Sequence, residues 1–120
     1  MEQIKNFKTT ALGTFPHCHG GEGVLDFTEL FTGDEFTADV RFFHHTVLPP
    51  HTSIGLHKHG NDQEFYIVLS GAGIMHLDGK SYPVTAGDVI VNRPFGEHGI
   101  ENPNEEKLEL LVFEVGCALS

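Results

Sequence analysis

The chain has no tryptophan, only two cysteines and two methionines, and seven basic side chains against seventeen acidic ones. Each shortage closes off a class of function. A formal net charge of −10, with Lys and Arg scattered along the chain, argues against nucleic acid, whose phosphates need clustered cations. Cys18 and Cys117 stand far apart and neither lies in a CxxC pair, so a thiolate zinc site is not indicated. In a reducing compartment no disulfide between them is expected. No apolar run is long enough to cross a bilayer, and Met1 to Thr10 is mixed and lysine-bearing, unlike a basic-then-apolar leader. The expectation is a cytoplasmic protein with neither membrane nor nucleic acid as partner.

What is present points to β-structure. At 120 residues the chain is one domain, 1–120, which can bury roughly two-thirds of its unfolded surface without disulfide staples. Ten phenylalanines and a hydrophobic fraction of 39% supply the core. Residues 1–23 read as an irregular N-terminal segment closed by Gly20-Gly21-Glu22-Gly23, and residues 24–116 as the folded barrel. Val24 to Phe31, Ala38 to Leu48, Glu64 to Leu69, Ile74 to Leu77, Val89 to Val91 and Leu108 to Val115 are strand-like runs. Between them lie Thr32-Gly33-Asp34-Glu35, Pro49-Pro50, Ser70-Gly71 and Asp78-Gly79, the last a two-residue hairpin signal. No amphipathic stretch of helical period reaches ten residues, so little helix is expected. Many short strands with Gly and Pro between them predict an all-β antiparallel sandwich or barrel.

Within that frame one constellation carries chemistry. His57-Lys58-His59 puts two imidazoles at i and i+2, on one face of a strand because side chains alternate with a period of two. Glu64 follows, then Gly71, and His98 stands further on. A second block runs through Gly87, Asp88, Pro94, Gly96 and His98 to Asn102. The spacing H-x-H-x4-E-x6-G, followed by a block ending in His-x3-Asn, resembles the cupin family over roughly residues 40 to 115. The family's opening glycine is His51 here, and Pro94 and Gly96 each fall one residue later than usual. The resemblance implies a double-sheet jelly-roll barrel with His57, His59, Glu64 and His98 as ligands of one divalent metal ion. It also implies a homodimer, since small cupins commonly pair through N-terminal strands, and a short barrel leaves sheet edges to cover.

Three neutral imidazoles and a carboxylate suit Mn, Fe, Co, Ni, Cu or Zn, and ligand type does not choose among them. Four protein ligands on an octahedral ion leave two adjacent positions for water or a bidentate small molecule. By parity Tyr66 and Val68 share the strand face of Glu64 and are expected to line the cavity. His76 and Tyr66 are the candidate proton shuttles. Arg93 could receive a substrate carboxylate, with Phe95 as a wall at the mouth. His44-His45 must send one ring inward and one outward, and His51 reads as a loop residue. The cluster His17-Cys18-His19 admits three readings: a solvated lead-in, a lid over the barrel mouth that supplies a catalytic histidine, or a second, softer metal site.

A fold does not fix a reaction. The leading expectation is a small metalloenzyme of isomerase, lyase or decarboxylase type, acting on a small oxygenated metabolite that chelates the metal. The alternatives are an Fe- or Cu-dependent dioxygenase and a non-catalytic binding or sensing module.

Overall fold

A computed structural model of the chain describes residues 2–117. Ten strands follow one another: β1 Gly13–Pro16, β2 Val24–Thr32, β3 Val40–Leu48, β4 Thr52–Lys58, β5 Asp62–Ser70, β6 Ala72–Leu77, β7 Lys80–Thr85, β8 Val89–Asn92, β9 Glu97–Asn102 and β10 Leu108–Gly116. They form a six-stranded sheet in the order β1-β2-β3-β10-β5-β8 and a four-stranded sheet in the order β4-β9-β6-β7, with antiparallel pairs throughout. This is the double-sheet jelly roll the sequence implies, with little helix. The two sheets face each other across the core and are not joined into a closed barrel.

Local chemistry accounts for the elements. β5 and β10 alternate strictly: Glu64, Tyr66 and Val68 face inward with Leu108, Leu110, Val112 and Glu114, and the residues between them face out. The outward row stacks Phe43, Phe113 and Phe65 across β3, β10 and β5, at ring separations of 5.1 and 4.7 Å. The β6–β7 turn is the expected two-residue hairpin, with Asp78 and Gly79 both at positive φ as a type I′ turn requires. Pro83 is tolerated because β7 is an edge strand. Gly71, between β5 and β6, takes φ +84°, and a Cβ there would overlap the Lys107 carbonyl.

The fully buried core joins both sheets through Leu25, Leu48, Val68, Met75, Ile100, Leu108 and Leu110. Asn102, also buried, donates from its side-chain amide to the carbonyls of Leu48, Pro49 and Glu106 at 3.0, 3.3 and 2.8 Å, anchoring the turn after β3.

Two features depart from the sequence expectation. Residues 13–16 belong to the segment read as irregular, yet they form β1, because backbone pairing with Val24–Phe27 needs no apolar alternation. A 3-10 turn at Cys18–Gly20 follows and packs against β4. In addition, β9 carries too little apolar alternation to be read as a strand, and the sequence places β4 only at the His57–His59 pair, although both strands are central to the site.

Candidate metal centre

The site begins with a break in the β4–β9 ladder. Ile54 faces Ile100 and His57 faces His98, so three steps on β4 match two on β9. The extra residue is a β-bulge, which re-aims the side chains beyond it. Without it, alternation from the buried Ile54 would turn Leu56 inward and His57 to solvent. With it, Leu56 is 59% exposed and His57 faces the interior. Gly55 lets the N-terminal segment pack against the bulge, because a Cβ there would overlap the His19 carbonyl of that segment.

Each candidate ligand is then oriented by a neighbour. His57 Nδ1 donates to the Gly55 carbonyl at 2.8 Å, which leaves Nε2 as the lone-pair nitrogen, and burial lowers this imidazole to about 4. His59 lies one residue past β4, with Nδ1 3.0 Å from Asp62 Oδ1 and 3.1 Å from Glu114 Oε1. The Glu64 carboxylate beside its ring, and then Asp62, raise His59 to about 9 against the opposing effect of burial. Arg41 Nη1 lies 3.2 Å from Asp62 and keeps that carboxylate paired. Glu64 Oε1 is 3.0 Å from His98 Nε2. Burial pushes the Glu64 carboxyl up, but His59 and His98 reverse this and hold it at about 2. His98, on β9, is 1% exposed, and its ring stacks on that of His59 at 4.6 Å.

One ligand atom from each of His57, His59, Glu64 and His98 lies within 4.8 Å of the others. Two of these atoms, His57 Nε2 and His59 Nε2, are buried without a hydrogen-bond partner. Buried polar atoms are rarely left so, because each loses its hydration for nothing in return. A divalent ion accepts the lone pair of His57 Nε2 and, on displacing the proton that Glu64 holds on the ring 3.5 Å away, that of His59 Nε2; the donor set of three imidazoles and a carboxylate fits one. The carboxylates behind His59 Nδ1 are the usual partners that fix a ligating imidazole.

Two of the quartet, His59 and Glu64, line a cavity of about 310 Å3. Tyr66, 2% exposed, lines it with its ring perpendicular to His98, and burial followed by the Glu64 charge drives its phenol far above its ordinary value. Glu114 lines it too, its carboxyl raised to about 7 by burial and by the charges of Asp62 and Glu64. Cys18 lies in the wall as a thiol pushed to about 11 by burial. His19 stacks on His57, rings 3.6 Å apart and nearly parallel. Cys18 and His19 line the cavity and His17 is exposed, a placement in keeping with the lid reading and not with a solvated lead-in. Neither ligand cluster among the described residues includes Cys18, His17 or His19.

Other expected site residues lie elsewhere. His76 sits on the outer face of the four-stranded sheet, because Met75 takes the inward position, and its nitrogens meet Ser81 Oγ at 2.7 Å and Glu101 Oε1 at 3.2 Å. Arg93 is exposed and Phe95 is 70% exposed at φ +61°, and neither lines the cavity. Their loop acts through its backbone: Phe95 N donates to Gly60 O and His59 N to Gly96 O, securing the turn that carries His59. Val68 is inward but packs in the core, one step past Tyr66 where the sheets close. Of the histidine pair, His44 lines the cavity and donates from Nε2 to the Glu29 carboxylate at 3.0 Å. His45 is on the outer face against Phe7, 2.7 Å from Glu109. His51 is an exposed loop residue paired with Glu105. Sequence reasoning missed Asp62, Glu114 and the cavity phenylalanines, and left His19 as one of three readings of its segment. Glu114 had a readable signal, an acidic residue at the inward parity of an apolar strand.

A two-sheet jelly roll holding a buried three-histidine, one-carboxylate quartet defines a class of β proteins built around one metal position. Within that class the chain belongs to the cupin family: the family's cupin-domain model matches residues 44–114. A Thermotoga maritima oxalate-binding protein is 38% identical over 93 residues, covering 78% of this chain and 77% of its own. The crystal structure of a T. maritima protein described as a predicted oxalate decarboxylase superposes with a TM-score of 0.92 at 30% identity, over 96% of this chain and all of that one. An uncharacterized Methanocaldococcus jannaschii protein is 37% identical over 65 residues, 54% of this chain and 52% of its own.

Proposed function

We propose that this cupin holds one divalent transition-metal ion on His57, His59, Glu64 and His98, and uses the site to bind a small oxygenated acid of the oxalate class. The observation that carries the reading is the pair of buried, unpartnered Nε2 atoms converging on Glu64 and His98. The oxalate-binding relative supports the choice of ligand. When bound, the ion would supply Lewis acidity toward paired oxygens. The chain supplies the rest. Glu64 stays anionic and His57 neutral, so both are ready to ligate near neutral pH. Tyr66 keeps its proton and can donate a hydrogen bond to a ligand oxygen. The apolar walls exclude water, which strengthens every polar contact inside.

A second reading is turnover of such an acid by decarboxylase, lyase or isomerase chemistry, favoured by the relative described as a predicted oxalate decarboxylase. Tyr66 would then be the proton-bearing group of the cavity, while His76, outside it, takes no part. The test starts from protein purified without chelators or a nickel column. Metal analysis is expected to find one ion per chain, and calorimetry to find oxalate binding that requires it. His59→Ala and Glu64→Ala should lose both. Full metal occupancy in both variants, or equal oxalate affinity in metal-stripped protein, would sink the reading. Release of CO2 from oxalate selects the second reading, and oxygen uptake by iron-loaded protein would select a dioxygenase instead.

The same reading includes a homodimer in the cytoplasm. The outward stack of Phe43, Phe65 and Phe113, continued by the exposed Val89 and Val91, offers an apolar face to a second copy. Cys18 and Cys117 are free thiols, as a reducing compartment keeps them. Light scattering that finds a strict monomer at micromolar concentration would remove the dimer.

A further inference from the structure

The cavity that ends on the metal quartet is larger than an oxalate-sized ligand requires. Six heavy atoms, taken generously at the ~30 Å3 of a liquid water, fill about 180 Å3 of the 310 Å3. The remaining volume of about 130 Å3 approaches the ~150 Å3 of an apolar cavity that takes up benzene. Its position follows from register. Glu64 on β5, Glu114 on β10 and Phe42 on β3 are successive cross-strand partners in one row. With strands about 4.8 Å apart, Phe42 stands about 10 Å across the sheet from Glu64. Beyond it the wall is aromatic. Phe42 stacks on His44 at 4.1 Å, Phe27 meets His44 edge-on at 5.4 Å, and Phe15 meets Phe27 edge-on at 5.4 Å. All four rings line the cavity. Phe15 is delivered by β1 and is 40% exposed, apolar area that a ligand ring would cover.

The charge at this end is also informative. No Lys or Arg lines the cavity among the described residues, and of the polar side chains at its aromatic end His44 is taken up by Glu29 while Thr46 is uncharged. A second carboxylate placed there would meet phenyl rings and a glutamate, whereas another aromatic ring would extend the edge-to-face packing.

Resting on the metal-and-acid reading above, we infer that the ligand is an acid with two vicinal oxygens at one end and an aromatic side chain at the other, a 3-aryl-2-hydroxy or 3-aryl-2-oxo acid. The oxygens reach the quartet, and the ring lies among Phe15, Phe27 and Phe42. The inference is about ligand selection and holds whether or not the acid is turned over.

The experiment is a calorimetric series on the full chain loaded with Mn2+, using oxalate, lactate, 3-phenyllactate and 2-hydroxyglutarate. Lactate and 3-phenyllactate share the chelating end and differ by one phenyl group. 3-Phenyllactate is expected to bind at least tenfold more tightly than lactate, and 2-hydroxyglutarate no more tightly than lactate. In Phe15→Ala and Phe42→Leu the phenyllactate-to-lactate ratio should fall to within about threefold. Phe15 is exposed enough for its removal to leave the fold intact, and circular dichroism of both variants checks this. Equal affinity for lactate and 3-phenyllactate while oxalate binds would overturn the inference and spare the metal-and-acid reading. So would a tenfold preference that survives in both folded variants. Failure of oxalate and of every other acid to bind would overturn both.

Discussion

Metal uptake should be linked to the loss of one proton, at a pH where ordinary imidazoles have none to lose. In the metal-free site His59 is held up at about 9, first by Glu64 and then by Asp62. A group at that value is about 90% protonated at pH 8, so binding must expel about 0.9 proton from His59. His57, at about 4, and Glu64, at about 2, have already lost theirs and add nothing. Three imidazoles at the ordinary 6.5 would together release only about 0.1 proton at pH 8. The sign is fixed: affinity rises with pH, close to tenfold per unit, and levels off as pH passes about 9. The assay is calorimetric titration with Mn2+ at pH 8 in two buffers of different ionisation enthalpy, whose difference in heat gives the protons released. Asp62→Asn, which removes a lesser contributor, should lower the release without abolishing it. A release below about 0.3 proton in the wild type would refute the charge arrangement drawn for His59.

Three further substitutions test the frame around the site. Gly55→Ala forces a Cβ into the His19 carbonyl, so it should cost about 2–3 kcal/mol in urea unfolding and weaken metal binding together; a change under about 0.5 kcal/mol would mean the bulge is not held as described. Asn102→Ala strips the amide from three carbonyls around the β3–β4 turn and should cost about 2–3 kcal/mol in the same measurement. An unshifted denaturation midpoint would show those carbonyls reach water. His76→Ala should leave metal content and oxalate affinity within about twofold of wild type, because the side chain lies on the far face of the sheet. A tenfold loss of either would restore His76 to the site.

The ligand set was legible because it is a matter of spacing. His57, His59, Glu64 and His98 stand at family intervals, and the structure brings their ligand atoms together. The reason first given for His57, strand parity, is incomplete. Parity carried forward from Ile54 would turn His57 outward, and it faces in through a one-residue bulge that no alternation pattern announces. Pattern and mechanism agree on the residue while differing on the cause. Two residues escaped notice for different reasons. Asp62 stood within a short window, three residues past His59 and at the inward parity of Glu64. Glu114, by contrast, meets the quartet only through the register of β10 on β5, and the stacking of His19 on His57 follows the path of the N-terminal segment. Arg93 and Phe95 erred in the opposite way: they are near His98 in sequence, but a loop that leaves the sheet carries them to solvent.

The N-terminal segment links these observations. Read as an irregular lead-in, it proves to be part of the site's construction. Gly21 and Gly55 approach so closely that a Cβ on either would overlap the other segment's backbone, and Glu22 exchanges hydrogen bonds with Ser53 through its N–H and carbonyl. That contact lies beside the bulge that turns His57 inward, and it seats the His19 ring flat on His57. One joint therefore fixes the proposed metal ligand His57, covers it, and, through the adjoining β1, brings Phe15 to the aromatic wall. Residues that orient a ligand and residues that select what reaches it share one support. A change at Gly21 or Gly55 should thus move metal affinity and ligand preference together, while a change at Phe15 should move preference alone.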